Sequence, residues 1–109
     1  MAKKVLFVCT ANIDRSPTAE DLLRQLNDFE VQSAGTWLHA RRRITEEMIN
    51  WADIIFVMER YHKEFLVDLN PVAENKIVVL DIPDIYHRSD PKLIRILKGK
   101  LSTHLNIKL

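Results

Sequence analysis

The sequence predicts an α/β fold, a four-stranded parallel sheet with helices on both faces. Three observations predict it. Runs at residues 4–9, 53–58 and 77–80 are dense in β-branched and aromatic residues without polar alternation, as in strands buried on both faces. Stretches of helical periodicity separate the strand candidates, so strand and helix alternate four times, the order that right-handed parallel crossovers require. Two glycines and four prolines in 109 residues leave no linker, repeat or low-complexity tract, so residues 1–109 are expected to form a single domain.

Taken in order, KVLFVC at 4–9 is the first strand. In RSPTAEDLLRQLND, Ser16 is the expected N-cap with Pro17 at the first helical position, and Ala19, Leu22, Leu23 and Leu26 share one helical face. EVQS at 30–33 is a short second strand, ended by Ala34 and Gly35. Thr45 caps a short helix that turns Met48, Ile49 and Ala52 inward. Residues 53–58 form the third strand, and residues 59–69 form a helix stopped by Asn70 and Pro71. Residues 77–80 form the fourth strand. Asp90 and Pro91 repeat the cap-and-proline device and start the last helix, which runs to about Leu105.

Composition narrows function by exclusion. A formal net charge of +1 gives no bias toward nucleic acid or a membrane surface. The apolar run after Lys3 and Lys4 is too short for a signal-peptide core or a bilayer span. A single cysteine forms no internal disulfide, and a cytoplasmic location is the expectation.

That cysteine ends the first strand. In such sheets ligands sit at the carboxyl ends of strands, where strand order reverses. Between Cys9 and the helix lies the loop Thr10, Ala11, Asn12, Ile13 and Asp14, followed by Arg15 and Ser16. A five-residue loop between a strand end and a helix N-terminus turns its N–H groups inward, and the helix dipole adds positive potential, making a cradle for a dianion such as phosphate. The Arg15 fork matches two phosphate oxygens, and the positive field favours a Cys9 thiolate, the nucleophilic form. Ser16 is placed to donate toward the sulfur. A loop this tight needs one residue in the left-handed region, and Asn12 tolerates that better than most.

VLFVCTANIDRSPTAE resembles the phosphate-binding loop of the low-molecular-weight protein tyrosine phosphatases, Cys, five residues, Arg, Ser. SAGT at 33–36, RRRITEEMINWADIIFVMERYHKEFL at 41–66 and DIPDIYHR at 81–88 extend the resemblance to about residue 95, and the chain is most similar to a short subgroup of that family. The resemblance implies a flavodoxin-like architecture and a metal-independent, cofactor-free hydrolase. Cys9 would attack phosphorus, the loop N–H groups and Arg15 would hold the oxygens, and an aspartate would protonate the leaving group. Phosphotyrosine proteins or small aryl phosphates would be the substrates. Asp81, Asp84 and Asp90 compete for the acid role; Asp84 in Asp84-Ile85-Tyr86 best matches the family's acid turn, whereas Asp90 is accounted for as an N-cap. Tyr86 and Trp37 are candidate walls for a substrate ring.

Three departures from the family pattern stand out. Ala11 occupies a position usually held by Gly. Asp14 stands where a second cysteine is common, and puts a carboxylate at the rim of an anion site. The segment between Thr36 and Arg41 is shortened. They keep two rival readings in view: an arsenate reductase-like enzyme using an external thiol, and a non-catalytic phosphate-binding module. Arg41, Arg42 and Arg43 are expected to be a solvated face, and the four histidines show no metal-ligand spacing.

Overall fold

The computed structural model describes residues 2–109. Four strands form a fully parallel sheet: β1 (Lys3–Cys9), β2 (Phe29–Gly35), β3 (Ile54–Val57) and β4 (Ile77–Val79), in the order β2-β1-β3-β4. The helices are α1 (Arg15–Arg24), α2 (Glu46–Trp51), α3 (Arg60–Leu69) and α4 (Pro91–Leu105), with a 3-10 helix at Pro71–Lys76. The chain leaves β1 toward one edge to form β2, then returns past β1 to form β3, so strand order reverses at β1.

The two faces of β1 explain its unbroken apolar run. Val5, Phe7 and Cys9 point to the side where Leu23 of α1 and Leu93, Leu97 and Leu101 of α4 pack. Leu6 and Val8 point to the opposite side, against Ile49 of α2 and Leu66 of α3. Phe7 and Phe56 stack across neighbouring strands at 5.6 Å between ring centres.

Thr45 caps α2 as expected, its hydroxyl accepting the Met48 N–H at 3.2 Å, and Asp90 caps α4 by accepting the Lys92 N–H at 2.8 Å, with Pro91 at the first helical position. The start of α1 differs from expectation. The helix begins at Arg15 with Asp14 as the N-cap residue, so Ser16 is its second residue and Pro17 its third. Proline is tolerated there because first-turn N–H groups have no intrahelical partner. The strand ends also moved. β2 reaches Gly35 because Gly35 continues the register opposite Cys9. β3 stops at Val57, because Glu59 becomes the N-cap of α3. Glu59 and His62 form a capping box in which His62 takes the role of the usual Glu or Gln. No helix among the described residues is long and apolar enough to cross a membrane.

Candidate active site

The loop after β1 is shaped by its carbonyls. Those of Thr10 and Ala11 accept the N–H groups of Trp37 and Arg41, each at 3.0 Å, and the Asn12 carbonyl accepts Arg41 Nε at 2.9 Å. All three are drawn onto the short segment after β2. Arg41 is therefore part of the loop's support rather than a purely solvated charge. Gly35 makes this approach possible. A Cβ there would lie 2.4 Å from the Thr10 carbonyl oxygen and 2.7 Å from Ala40 Cβ.

Asn12 adopts φ 56°, the left-handed conformation anticipated for it. Its amide nitrogen donates to Ser16 Oγ at 2.8 Å and to Ser33 Oγ at 2.9 Å, and Ser33 donates to the buried Glu20 at 2.6 Å. Ser16 Oγ thus has an incoming donor, and its own proton has two acceptors within reach, Cys9 Sγ at 2.9 Å and, farther off, the Ala34 carbonyl at 3.4 Å. Cys9 is 3% exposed and lines a cleft of about 60 Å³ together with Ala11, Ile13, Asp14, Arg15 and Asp84. At about 10–15 Å³ per water-sized group, this cleft takes a group of roughly phosphoryl size.

Arg15 is buried, and its guanidinium is held at one end. Nη1 donates to Glu59 Oε2 and to the Ile82 carbonyl, both at 2.7 Å. Nε, buried, has no hydrogen-bond partner and lies 3.7 Å from Asp84 Oδ1. The anchored end fixes the plane and leaves the Nε side for a ligand. Burial pulls the Arg15 pKa down, but Glu59, Tyr61, Asp84 and Cys9 outweigh it, so the guanidinium stays charged. Burial pushes the Glu59 carboxyl up, and Arg15, Tyr61 and His62 overcome this and hold it below its usual range.

Thr10 extends the support. Its hydroxyl lies 2.9 Å from His62 Nε2 and 2.7 Å from the Tyr61 hydroxyl, with Arg15 Nη2 at 3.4 Å. Since His62 Nδ1 accepts the Glu59 N–H at 3.0 Å, Nε2 carries the proton and donates to Thr10.

The three candidate acids separate cleanly. Asp84 lines the cleft beside Arg15, with its side chain 60% exposed. Asp90 caps α4, and Asp81 takes a left-handed turn conformation (φ 55°) outside the cleft lining. The Asp14 carboxylate accepts the Arg88 N–H at 2.9 Å. Trp37 and Tyr86 do not line the cleft. Trp37 is half-exposed and edge-on to His39, and Tyr86 packs partly against the core on the α4 side, whereas Ile13 forms an apolar wall.

Glu59, Tyr61, His62 and Thr18 are site-supporting residues that the sequence did not single out. A faint signal was available for the first three, since they follow the end of a buried strand at the ligand-binding edge of the sheet. Among the described residues no three His, Cys, Asp or Glu side chains cluster as a cation site.

Comparison with known proteins gives this geometry a family. The family model for low molecular weight phosphotyrosine protein phosphatase matches residues 4–52. A protein-arginine-phosphatase from Geobacillus stearothermophilus is 32% identical, covering 73% of this chain and 70% of that protein. The low molecular weight protein-tyrosine-phosphatase Etp of Escherichia coli is 31% identical over 78% of each chain.

The chain belongs to the low molecular weight phosphotyrosine protein phosphatase family.

The solved structure of the tyrosine phosphatase Wzb from Escherichia coli K30 in complex with phosphate superposes on 97% of this family member with a TM-score of 0.82 at 27% identity, and 98% of that chain is covered. The flavodoxin-like α/β architecture expected from the sequence is thus the fold of this phosphatase-family chain, and the segment that the family model covers contains Cys9 and Arg15.

Proposed function

We propose that this chain is a cysteine-dependent phosphotyrosine phosphatase that works without metal through a phosphocysteine intermediate. The observation that carries the reading is the meeting of the Cys9 sulfur, the unpaired Nε of Arg15 and the Asp84 carboxyl in one small cleft. The phosphoryl group binds in the loop of residues 10–16, its oxygens against the loop N–H groups and Arg15. The Cys9 thiolate attacks phosphorus, an S–P bond forms, and the P–O bond to the leaving phenol breaks. Asp84 gives its proton to the departing oxygen. Water then attacks the phosphocysteine, Asp84 takes a proton from it, and thiolate and inorganic phosphate are released. Ser16 supports the thiolate by its hydrogen bond. Ile13, which lines the cleft, is the apolar wall for the substrate ring.

The reading is tested by metal-free hydrolysis of p-nitrophenyl phosphate and of phosphotyrosine and phosphoarginine peptides, since relatives are named for both residues. The wild type is expected to turn over and to prefer phosphotyrosine; Cys9→Ser is expected to be inert while still binding phosphate. An inert, folded, reduced wild type overturns the enzyme reading, and a preference for phosphoarginine overturns the substrate.

A further inference from the structure

The segment that bears Asp84 has no regular structure, yet it is pinned at both ends. At its start, buried Ile82 donates its N–H to the Met58 carbonyl at 2.8 Å and accepts Arg15 Nη1 at 2.7 Å. At its end, three contacts fasten it to the first turns of α1. Asp14 Oδ1 accepts the Arg88 N–H at 2.9 Å, Thr18 Oγ1 accepts the Ser89 N–H at 3.0 Å, and the Arg88 guanidinium pairs with Asp21 at 2.9 Å. Residues 83–87 lie between the anchors, with Tyr86 packed partly against the core. Ser89 takes φ 64°, a backbone cost of the kind that persists where contacts over-determine it.

Asp14 occupies the N-cap position of α1 and makes no side-chain cap bond. Pro17, at the third helical position, has no N–H to offer it. The carboxylate turns instead to the Arg88 N–H. Thr18 hydrogen-bonds twice, donating its hydroxyl proton to the Asp14 carbonyl at 2.6 Å and accepting from Ser89. The helix that opens at the phosphate loop therefore also locates the acid-bearing segment.

We propose that Asp14 and Thr18 are positioning residues for the general acid, stapling residues 88 and 89 to α1 so that Asp84 stands beside Arg15. This rests on the phosphatase reading and on Asp84 as its acid. It gives the carboxylate at the rim a purpose: it is engaged by the Arg88 backbone N–H.

The test exploits leaving-group chemistry. A strongly acidic phenol such as dinitrophenol leaves without proton donation, whereas unsubstituted phenol requires it. The ratio of kcat/KM for phenyl phosphate to that for 2,4-dinitrophenyl phosphate reports the acid and cancels changes in phosphate binding. Asp84→Asn sets the ratio for complete loss of the acid. Thr18→Val and Asp14→Ala are expected to lower the ratio by about tenfold, part of the roughly 10²–10⁴ a positioned acid supplies. Thr18→Ser and Asp14→Asn, which keep the accepting oxygen, are expected to restore it. Equal losses on both substrates, or a ratio unchanged in Thr18→Val and Asp14→Ala while Asp84→Asn lowers it, overturn the staple and leave the phosphatase reading standing. A ratio unchanged in Asp84→Asn overturns the assignment of the acid, and the staple with it. Melting temperatures of the five variants identify a simple loss of fold, and the Thr18 pair keeps the test open should Asp14→Ala not fold.

Discussion

His62 illustrates how one residue ties local structure to a measurable property. Its ring is completely buried, accepting from the Glu59 N–H and donating to Thr10, an arrangement possible only in the neutral form. Burial first, and the Arg15 charge second, lower its pKa from 6.5 to about 4 against a smaller pull from Glu59. The unfolded chain takes up the proton near 6.5 while the folded one does not, so the unfolded state binds more protons between these values. Stability is therefore lost as pH falls from 6.5 to about 4, with no further loss from this group below that. The shift corresponds to about 3 kcal/mol. Urea unfolding at several pH values checks this: the wild type is expected to lose more stability over that window than His62→Gln, and parallel pH curves would refute it. Nothing in the composition announced this histidine, because its role comes from which donor faces each ring nitrogen.

At the scale of elements, the contact between the β2 end and the phosphate loop is the tightest fit. The Cβ of Gly35→Ala would fall 2.4 Å from the Thr10 carbonyl oxygen, which is backbone and cannot swing aside. The substitution is expected to destabilise by about 1–3 kcal/mol, the usual cost of overpacking, and to weaken phosphate binding by distorting the cradle. Gly99, inside α4, makes the opposite prediction. Nothing lies within 4 Å of its added Cβ, so Gly99→Ala is expected to stabilise, by up to about 1 kcal/mol from helix propensity. Thermal melts with and without phosphate separate the two cases. The caps of α2 and α4 were legible because Thr45, Asp90 and Pro91 act within one turn. The start of α1 was not, because Asp14 gives its side chain to Arg88, 74 positions away.

At the scale of the molecule, Arg15 joins elements distant in sequence. It leaves α1, pairs with Glu59 at the head of α3 and bonds Ile82 beyond β4. A dianion in the cradle should therefore stabilise the whole fold by mass action, about 2.7 kcal/mol at a phosphate concentration one hundred times Kd. For a chain near this size each kcal/mol raises Tm by about 4–8 °C. Wild type and Cys9→Ser are expected to show this shift, and Arg15→Lys to lose most of it, since an ammonium can replace neither the Glu59–Ile82 anchor nor the planar fork. An undiminished shift in Arg15→Lys would place the phosphate elsewhere.

The sequence by itself determined the alternation of strands and helices, the apolar strand that ends on Cys9, the left-handed Asn12 and the pattern Cys, five residues, Arg, Ser. All of these are short-range, set by side-chain period, capping chemistry and backbone preference within a few residues. Tertiary structure alone decided what sits around them. It turned the loop carbonyls onto Trp37 and Arg41, recruited Glu59, Tyr61 and His62 behind Arg15 and Thr10, and brought Asp84, the aspartate that the family resemblance already favoured, to within 3.7 Å of Arg15. These depend on contacts between segments tens of residues apart, whose hydrogen-bond partners are chosen by the crossing of strands and helices and leave no local periodicity to read.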